Sequence, residues 1–157
     1  MQNTTSPTIQ NLEAAFAGES MAHIKYLWFA RHCRKAGDEA TARVFEDTAA
    51  QEMLHAFGHA ELLFADETMT PAKCLQYAIE GETHEYTEMY PKFRHEAMQE
   101  GHDAAVAEID EQIAESKEHA EMFKAVLDKA AKRFAALTKV EEKHAKHYQA
   151  QKDAISA

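Results

Sequence analysis

The chain has 157 residues, enough for one domain with a sizeable core. It carries only 5 Gly and 3 Pro, and 45% of it is hydrophobic, which favours a helical protein with few turns. A net charge of -10 argues against nucleic acid or an anionic membrane surface as partner, while leaving cationic partners such as metal ions open.

Residues 1–8 read as a polar tail, followed by one domain over 9–153. MQNTTSPTIQ has neither the basic start nor the apolar run of a secretory signal. The isolated cysteines, Cys33 and Cys74, form no CxxC pair, so a reduced, cytoplasmic setting is the expectation. No apolar run approaches membrane-spanning length.

The first helix runs from about residue 9 to Ala36 and stops at Gly37. Asp38 is placed to cap the second, which reaches about Phe64. Ala65 to Pro71 reads as a turn, with Thr70 as cap and Pro71 as first helical residue of the third helix. That helix ends at Gly101 and holds Pro91, which should kink it. After Gly101 there is no further Gly or Pro. One helix of about 50 residues would be ~75 Å long, so the segment is expected to split into an extra helix at about 103–127 and a last one at about 130–153.

The apolar seams carry the chemical information. The extra helix keeps a 3–4 stripe of Val106, Ile109, Ile113, Ser116, Ala120, Phe123 and Leu127. The other four interrupt their stripes with acids. The first has Glu19 between Phe16 and His23, and the second has Glu52 and His55. The third has Glu82 and Glu85, and the last has Glu141 and His144. Glu52/His55 and Glu141/His144 are the two ExxH pairs, and positions i and i+3 share a helix face. Facing buried carboxylates are very costly without cations. Five Glu and two His make a donor set suited to two iron or manganese ions in a four-helix bundle. Both Glu19 and Glu82 follow a glycine, in FAGES and IEGET, which costs about 1 kcal/mol in a helix interior and suggests a close approach there.

FAGES with Tyr26, FEDTAAQEMLHA (45–56), EGETHEYTEMYP (80–91) and FAALTKVEEKHAKHY (134–148) resemble the ligand helices of the rubrerythrin family. The resemblance implies an all-α, ferritin-like four-helix bundle with one extra helix. It implies two iron ions per site, with manganese or a mixed pair also compatible. Glu19 and Glu82 would be terminal ligands, Glu52 and Glu141 bridges, and His55 and His144 nitrogen ligands. Glu85 would be the ligand that exchanges with His55 as the metal changes oxidation state. Tyr26 and Tyr86 would donate hydrogen bonds to ligand carboxylates. The implied activity is reduction of hydrogen peroxide to water with electrons from a separate, rubredoxin-like donor, in defence against oxidative stress. A ferroxidase or iron-handling role is the alternative, and a structural metal bundle a third.

The chain departs from the family pattern between Glu85 and Glu141, which stand farther apart than usual. At the usual separation stands Ser116, with His119 three residues on. A rival assignment therefore makes Glu115 and His119 the ligands. The short connection between the second and third helices raises a second expectation. About seven residues reach at most ~24 Å, whereas a return along the bundle needs ~30 Å. A homodimer that exchanges the third helix resolves this, with Glu82 and Glu85 completing the partner's site.

Overall fold

The computed structural model describes residues 6–64 and 68–155. Its elements are α1 (Pro7–Lys35), α2 (Glu39–Leu63), α3 (Pro71–His84), a π-helical turn (Glu85–Met89), α4 (Tyr90–Glu100) and α5 (Asp103–Ile155). Among the described residues there is no strand. The chain divides after Met69 into two compact units.

The N-terminal unit is the hairpin α1–α2. Ser6 caps α1 by accepting from the Ile9 N–H, with Pro7 at the first helical position, so the helix starts inside the expected tail. Residues 1–5 lie outside the described residues. Gly37 closes α1 in the left-handed region (φ 83°), and Asp38 caps α2 by accepting from the Thr41 N–H. The two helices meet on small residues: Ala42, Ala49 and Ala56 recur every seven positions on α2 and are buried, as is Ala30 on α1. Tyr26, Phe29 and Phe45 stack beside this seam at 5.5–6.3 Å between centroids.

The C-terminal unit packs α3, the π turn and α4 against α5. Thr70 caps α3 by accepting from the Lys73 N–H, with Pro71 first in the helix, as expected. Residues 65–67 of the expected turn lie outside the described residues. Gly101 (φ 73°) ends α4. Pro91 does not simply kink the helix. The π turn lies just before it, and the wider turn gives room to a ring that would otherwise crowd the carbonyl four residues back. Ala97, Ser116 and Ala120 are the buried residues here, and Ser116 is the single buried polar residue among those described.

The expected break near residue 128 is absent, and α5 is one helix of 53 residues. Asp-Lys-Ala-Ala-Lys-Arg at 128–133 consists mostly of strong helix formers, and nothing there stops the backbone. A helix of this length exceeds one domain only where it packs along its whole length. Every described side chain from 131 to 154 is instead exposed.

The two units are two versions of one hairpin. Each opens on Ser/Thr-Pro, carries Gly-Glu-Ser/Thr, turns at a left-handed glycine, and ends its core on x-x-x-His-Ala with that Ala buried. Fifteen residues separate Gly37 from Glu52, and fifteen separate Gly101 from Ser116. Before the turn the spacing differs by one: nineteen residues from Gly18 to Gly37, twenty from Gly81 to Gly101. The π turn absorbs that extra residue, so both hairpins keep the same faces inward. Glu52 of the first hairpin therefore corresponds to Ser116 of the second, His55 to His119, and Tyr26 to Tyr90.

Candidate metal centre

In the N-terminal unit Glu19 comes from the middle of α1, and Glu52 and His55 come from one face of α2. Their donor atoms all lie within 4.8 Å of one another. His55 Nδ1 is 2.9 Å from Glu52 Oε2 and 3.9 Å from Glu19 Oε2. The Glu52 carboxyl is held below the usual carboxylate range, first by a hydrogen bond with Glu19 and next by His55. One member of this set is therefore ready to bind a cation as a carboxylate. On the same helix, four residues after Glu19, His23 fixes its ring with Nδ1 2.7 Å from the Ala49 carbonyl oxygen. Phe16, Ile24, Met53 and Phe57 line an open apolar hollow of about 310 Å³ on the same face.

In the C-terminal unit the acids lie on the helix that α5 covers. Glu82 lies in the last turn of α3, and Glu85 opens the π turn. His119 Nδ1 lies 3.4 Å from Glu82 Oε1, and Ser116 Oγ donates to Glu85 Oε2 at 3.0 Å. Tyr90 is half-buried, and its phenol is held above its usual range, first by burial and then by the charges of Glu85, Glu82 and Glu108. It therefore stays protonated beside the acid pair.

The expected seven ligands do not converge as one set within these units. Glu19, Glu52 and His55 come together, and Glu82 and Glu85 share a face of the second hairpin. Glu141 and His144 stand elsewhere. They are exposed and pair with each other at 3.7 Å. Glu141 lies twenty-five residues along the same helix from Ser116, or ~38 Å at 1.5 Å per residue. The nitrogen donor that the structure brings to Glu82 is His119, the rival of the sequence reading. Its proposed companion Glu115 is exposed, and Ser116 occupies the buried position instead.

Tyr26 packs in the aromatic cluster of the first hairpin, and Tyr86 is half-buried in the π turn. Tyr90, not singled out by the sequence reading, is the tyrosine under the electrostatic influence of the acids. Its signal was its place in the repeat, hidden by the one-residue insertion. A Cβ added at Gly18 or Gly81 would meet nothing within 4 Å, so the close approach expected there is not found among the described residues.

A rubrerythrin family model matches residues 10–127. The chain belongs to the rubrerythrin family. It is 37% identical over 129 residues to a nigerythrin of Nitratidesulfovibrio vulgaris, covering 74% of this chain and 63% of that one. It is 37% identical over 134 residues to a rubrerythrin of Porphyromonas gingivalis, covering 78% and 66%. The chain thus spans slightly less than two thirds of the length of these relatives. Among solved structures, the fully reduced, all-ferrous state of nigerythrin is 32% identical, covering 83% of this chain and 70% of that one at a TM-score of 0.40. The all-α, ferritin-like class expected from the sequence stands with this membership. The matched span includes Ser116 and His119 and stops before Glu141 and His144. Among the described residues no helix is long and apolar enough to cross a membrane.

Proposed function

We propose that this protein is a di-iron peroxidase that reduces hydrogen peroxide to water with electrons from an electron-transfer protein. The convergence of Glu19, Glu52 and His55 within 4.8 Å carries the reading. Carboxylates and imidazoles are hard and borderline donors that suit iron or manganese. The residues fit such a pair: the first hairpin would offer Glu19, Glu52 and His55, and the second Glu82, Glu85 and His119. When bound, the pair supplies the two electrons that, with two protons, convert one hydrogen peroxide into two waters.

The chain's own residues bind, orient and supply protons. Glu52, depressed in pKa, presents a carboxylate without a proton to remove. Ser116 holds Glu85, and Tyr90 keeps a proton on its phenol oxygen near both acids of the second hairpin. Phe16, Ile24 and Phe57 provide an apolar wall on the same face. The electrons would come from a rubredoxin-like donor.

The working form is a homodimer in which each copy's C-terminal hairpin completes the other's site. The support is burial. Among the described residues no large side chain is fully buried, while Ile24, Trp28, Leu54 and Phe57 of the first hairpin are each more than half exposed. Faces of this kind need cover. Co-expressing a Glu52→Ala, His55→Ala chain with a Glu82→Ala, Glu85→Ala chain should restore one metal centre per mixed dimer. A monomer at working concentration, or no recovered centre, would exclude the exchange.

Stopped-flow oxidation of the anaerobically reduced protein tests the activity. Hydrogen peroxide should be the faster oxidant by at least about tenfold, ~1.4 kcal/mol of barrier. Oxygen as the faster oxidant would replace the peroxidase with a ferroxidase or oxidase.

A further inference from the structure

The heptad spacing of α5 outlasts its packing. From Val106 to Leu127 the stripe rests on α3 and α4. Past Leu127 the same seven-residue repeat runs on without a break from Ala130 to Gln151, three further heptads or ~32 Å. This stretch lies beyond the residues that the family model matches. Its seam carries Phe134, Leu137 and Tyr148, which are 71%, 53% and 70% exposed. Glu141 and His144 stand at the middle of the same seam, and Lys132, Lys139, Lys143 and Lys146 fall on the opposite side of the helix. Charge divides along the chain at the same place. Residues 71–128 hold fourteen Asp and Glu against five Lys and Arg, whereas residues 129–157 hold seven Lys and Arg against three Asp and Glu.

We propose that residues 130–151 form an antiparallel two-stranded coiled coil with the same segment of a second copy of this chain. About three heptads suffice to sustain such a seam. The seam is self-complementary in one register. Setting Glu141 opposite the partner's His144 sets His144 opposite the partner's Glu141 by the two-fold axis, so the two polar positions pair reciprocally at the centre. The same register sets Leu137 against the partner's Tyr148 and Phe134 against the partner's Gln151. A slip of one heptad would set Glu141 against the partner's Leu137 or the partner's Gln151 and leave the acid without a counter-charge. Direction follows from charge. A parallel pair would stack Glu141 on the partner's Glu141 and bring two acidic hairpins, each with a net charge of -9 over residues 71–128, to the same end. The antiparallel pair separates them and carries the basic end of each α5 toward the partner's acidic hairpin. Ala131, Thr138 and Ala145 flank the seam and let the helix axes come close. The contact uses no residue of the metal centre, and it is separate from the exchange of hairpins.

Cross-linking of the full chain, with Cys33→Ser and Cys74→Ser as background, tests the contact. A chain that also carries Leu137→Cys and Tyr148→Cys should join into covalent dimers with a short thiol–thiol linker. Each thiol then lies beside its counterpart on the second copy, whereas within one chain the two are ~16 Å apart along the helix. Neither substitution alone should cross-link, because like positions also stand ~16 Å apart in the antiparallel register. Adding Phe134→Glu to the double variant should cut the yield by about tenfold or more, and adding Lys139→Ala on the outer side should leave it within about twofold. Circular dichroism should show unchanged helix content throughout, since these side chains are exposed in the single chain. Covalent dimers from Leu137→Cys alone would overturn the antiparallel register. No covalent dimer from the double variant, or a yield indifferent to Phe134→Glu, would overturn the contact and leave the metal-centre reading and the hairpin exchange standing. Iron lost from the Phe134→Glu chain at normal helix content would also overturn it, because the distal half of α5 would then be folded onto the metal centre.

Discussion

The two halves of α5 carry the same kind of stripe and have opposite fates. From Val106 to Leu127 the stripe packs on α3 and α4, burying Ser116 and Ala120. From Phe134 to Tyr148 the same 3–4 spacing continues, yet Phe134 is 71% and Tyr148 70% exposed. Periodicity shows that a helix has a face; it does not say what that face meets. The distal half also holds Glu141 and His144 on its stripe, so the pattern that drew attention to them was real. What the pattern could not supply was a partner at their level of the fold.

Histidine substitutions press hardest on this contrast. His119→Ala should remove the nitrogen donor of the second set and lower iron occupancy there by a factor of 100 or so, about 2.7 kcal/mol of binding. His144→Ala should leave iron content within a factor of two or so, as a surface change does. Iron per chain after anaerobic reconstitution gives the answer. The reverse pattern would return the site to Glu141 and His144 and would mean that α5 breaks and folds back when metal is bound.

Packing gives the next contrast. Ala49 is fully buried at the α1–α2 seam, and its carbonyl oxygen lies 2.7 Å from His23 Nδ1. Ala49→Leu forces three extra carbons between helices in contact and should destabilise the hairpin by ~1–3 kcal/mol. Ala136→Leu, on the exposed half of α5, should change stability by less than ~0.5 kcal/mol. Urea denaturation at fixed protein concentration compares them. A large loss from Ala136→Leu would show that the distal half is covered in the assembled protein.

Much of this fold was legible because its signals are local. Asp38, Gly37, Thr70-Pro71 and Gly101 act through their own backbone geometry, and each marks a boundary where the sequence placed one. Glu19, Glu52 and His55 were legible because an acid on an apolar seam is expensive unless something compensates it. Ser116 was harder to read. A serine on a seam costs little, and its meaning comes only from comparison with Glu52 in the other hairpin. That comparison needs the π turn, since without its extra residue Tyr26 and Tyr90 fall out of register. The continuity of α5 was missed because a limit on domain size was applied to a helix that runs past its packing partners.

The smallest expected effect compares the ion pairs of the two hairpins. Arg34 bridges two acids near the α1–α2 turn, donating to Glu39 at 2.9 Å and to Glu46 at 2.8 Å; Arg94 meets one acid, donating to Asp110 at 3.0 Å. The Arg34 guanidinium holds Glu39 and Glu46 below the usual carboxylate range, and Arg94 does the same for Asp110, in each case mainly through these hydrogen bonds. A depressed carboxylate contributes stability that is present above its unfolded pKa, about 4.3 for Glu and 3.9 for Asp. That contribution is lost as pH falls through the lower folded value. The groups are exposed, so the contribution is small and screened by salt. Arg34→Ala should therefore lower the melting temperature of the metal-free protein slightly at neutral pH. The gap to the unaltered chain should close as pH falls through about 4 and below, where the acids take up protons in both. Arg94→Ala should show the same closing gap with a smaller amplitude, since one acid is involved and not two. Melting curves in low salt between about pH 7 and pH 3 read both differences, and a gap for Arg34→Ala that is constant across the range would mean its packing matters and its charge does not.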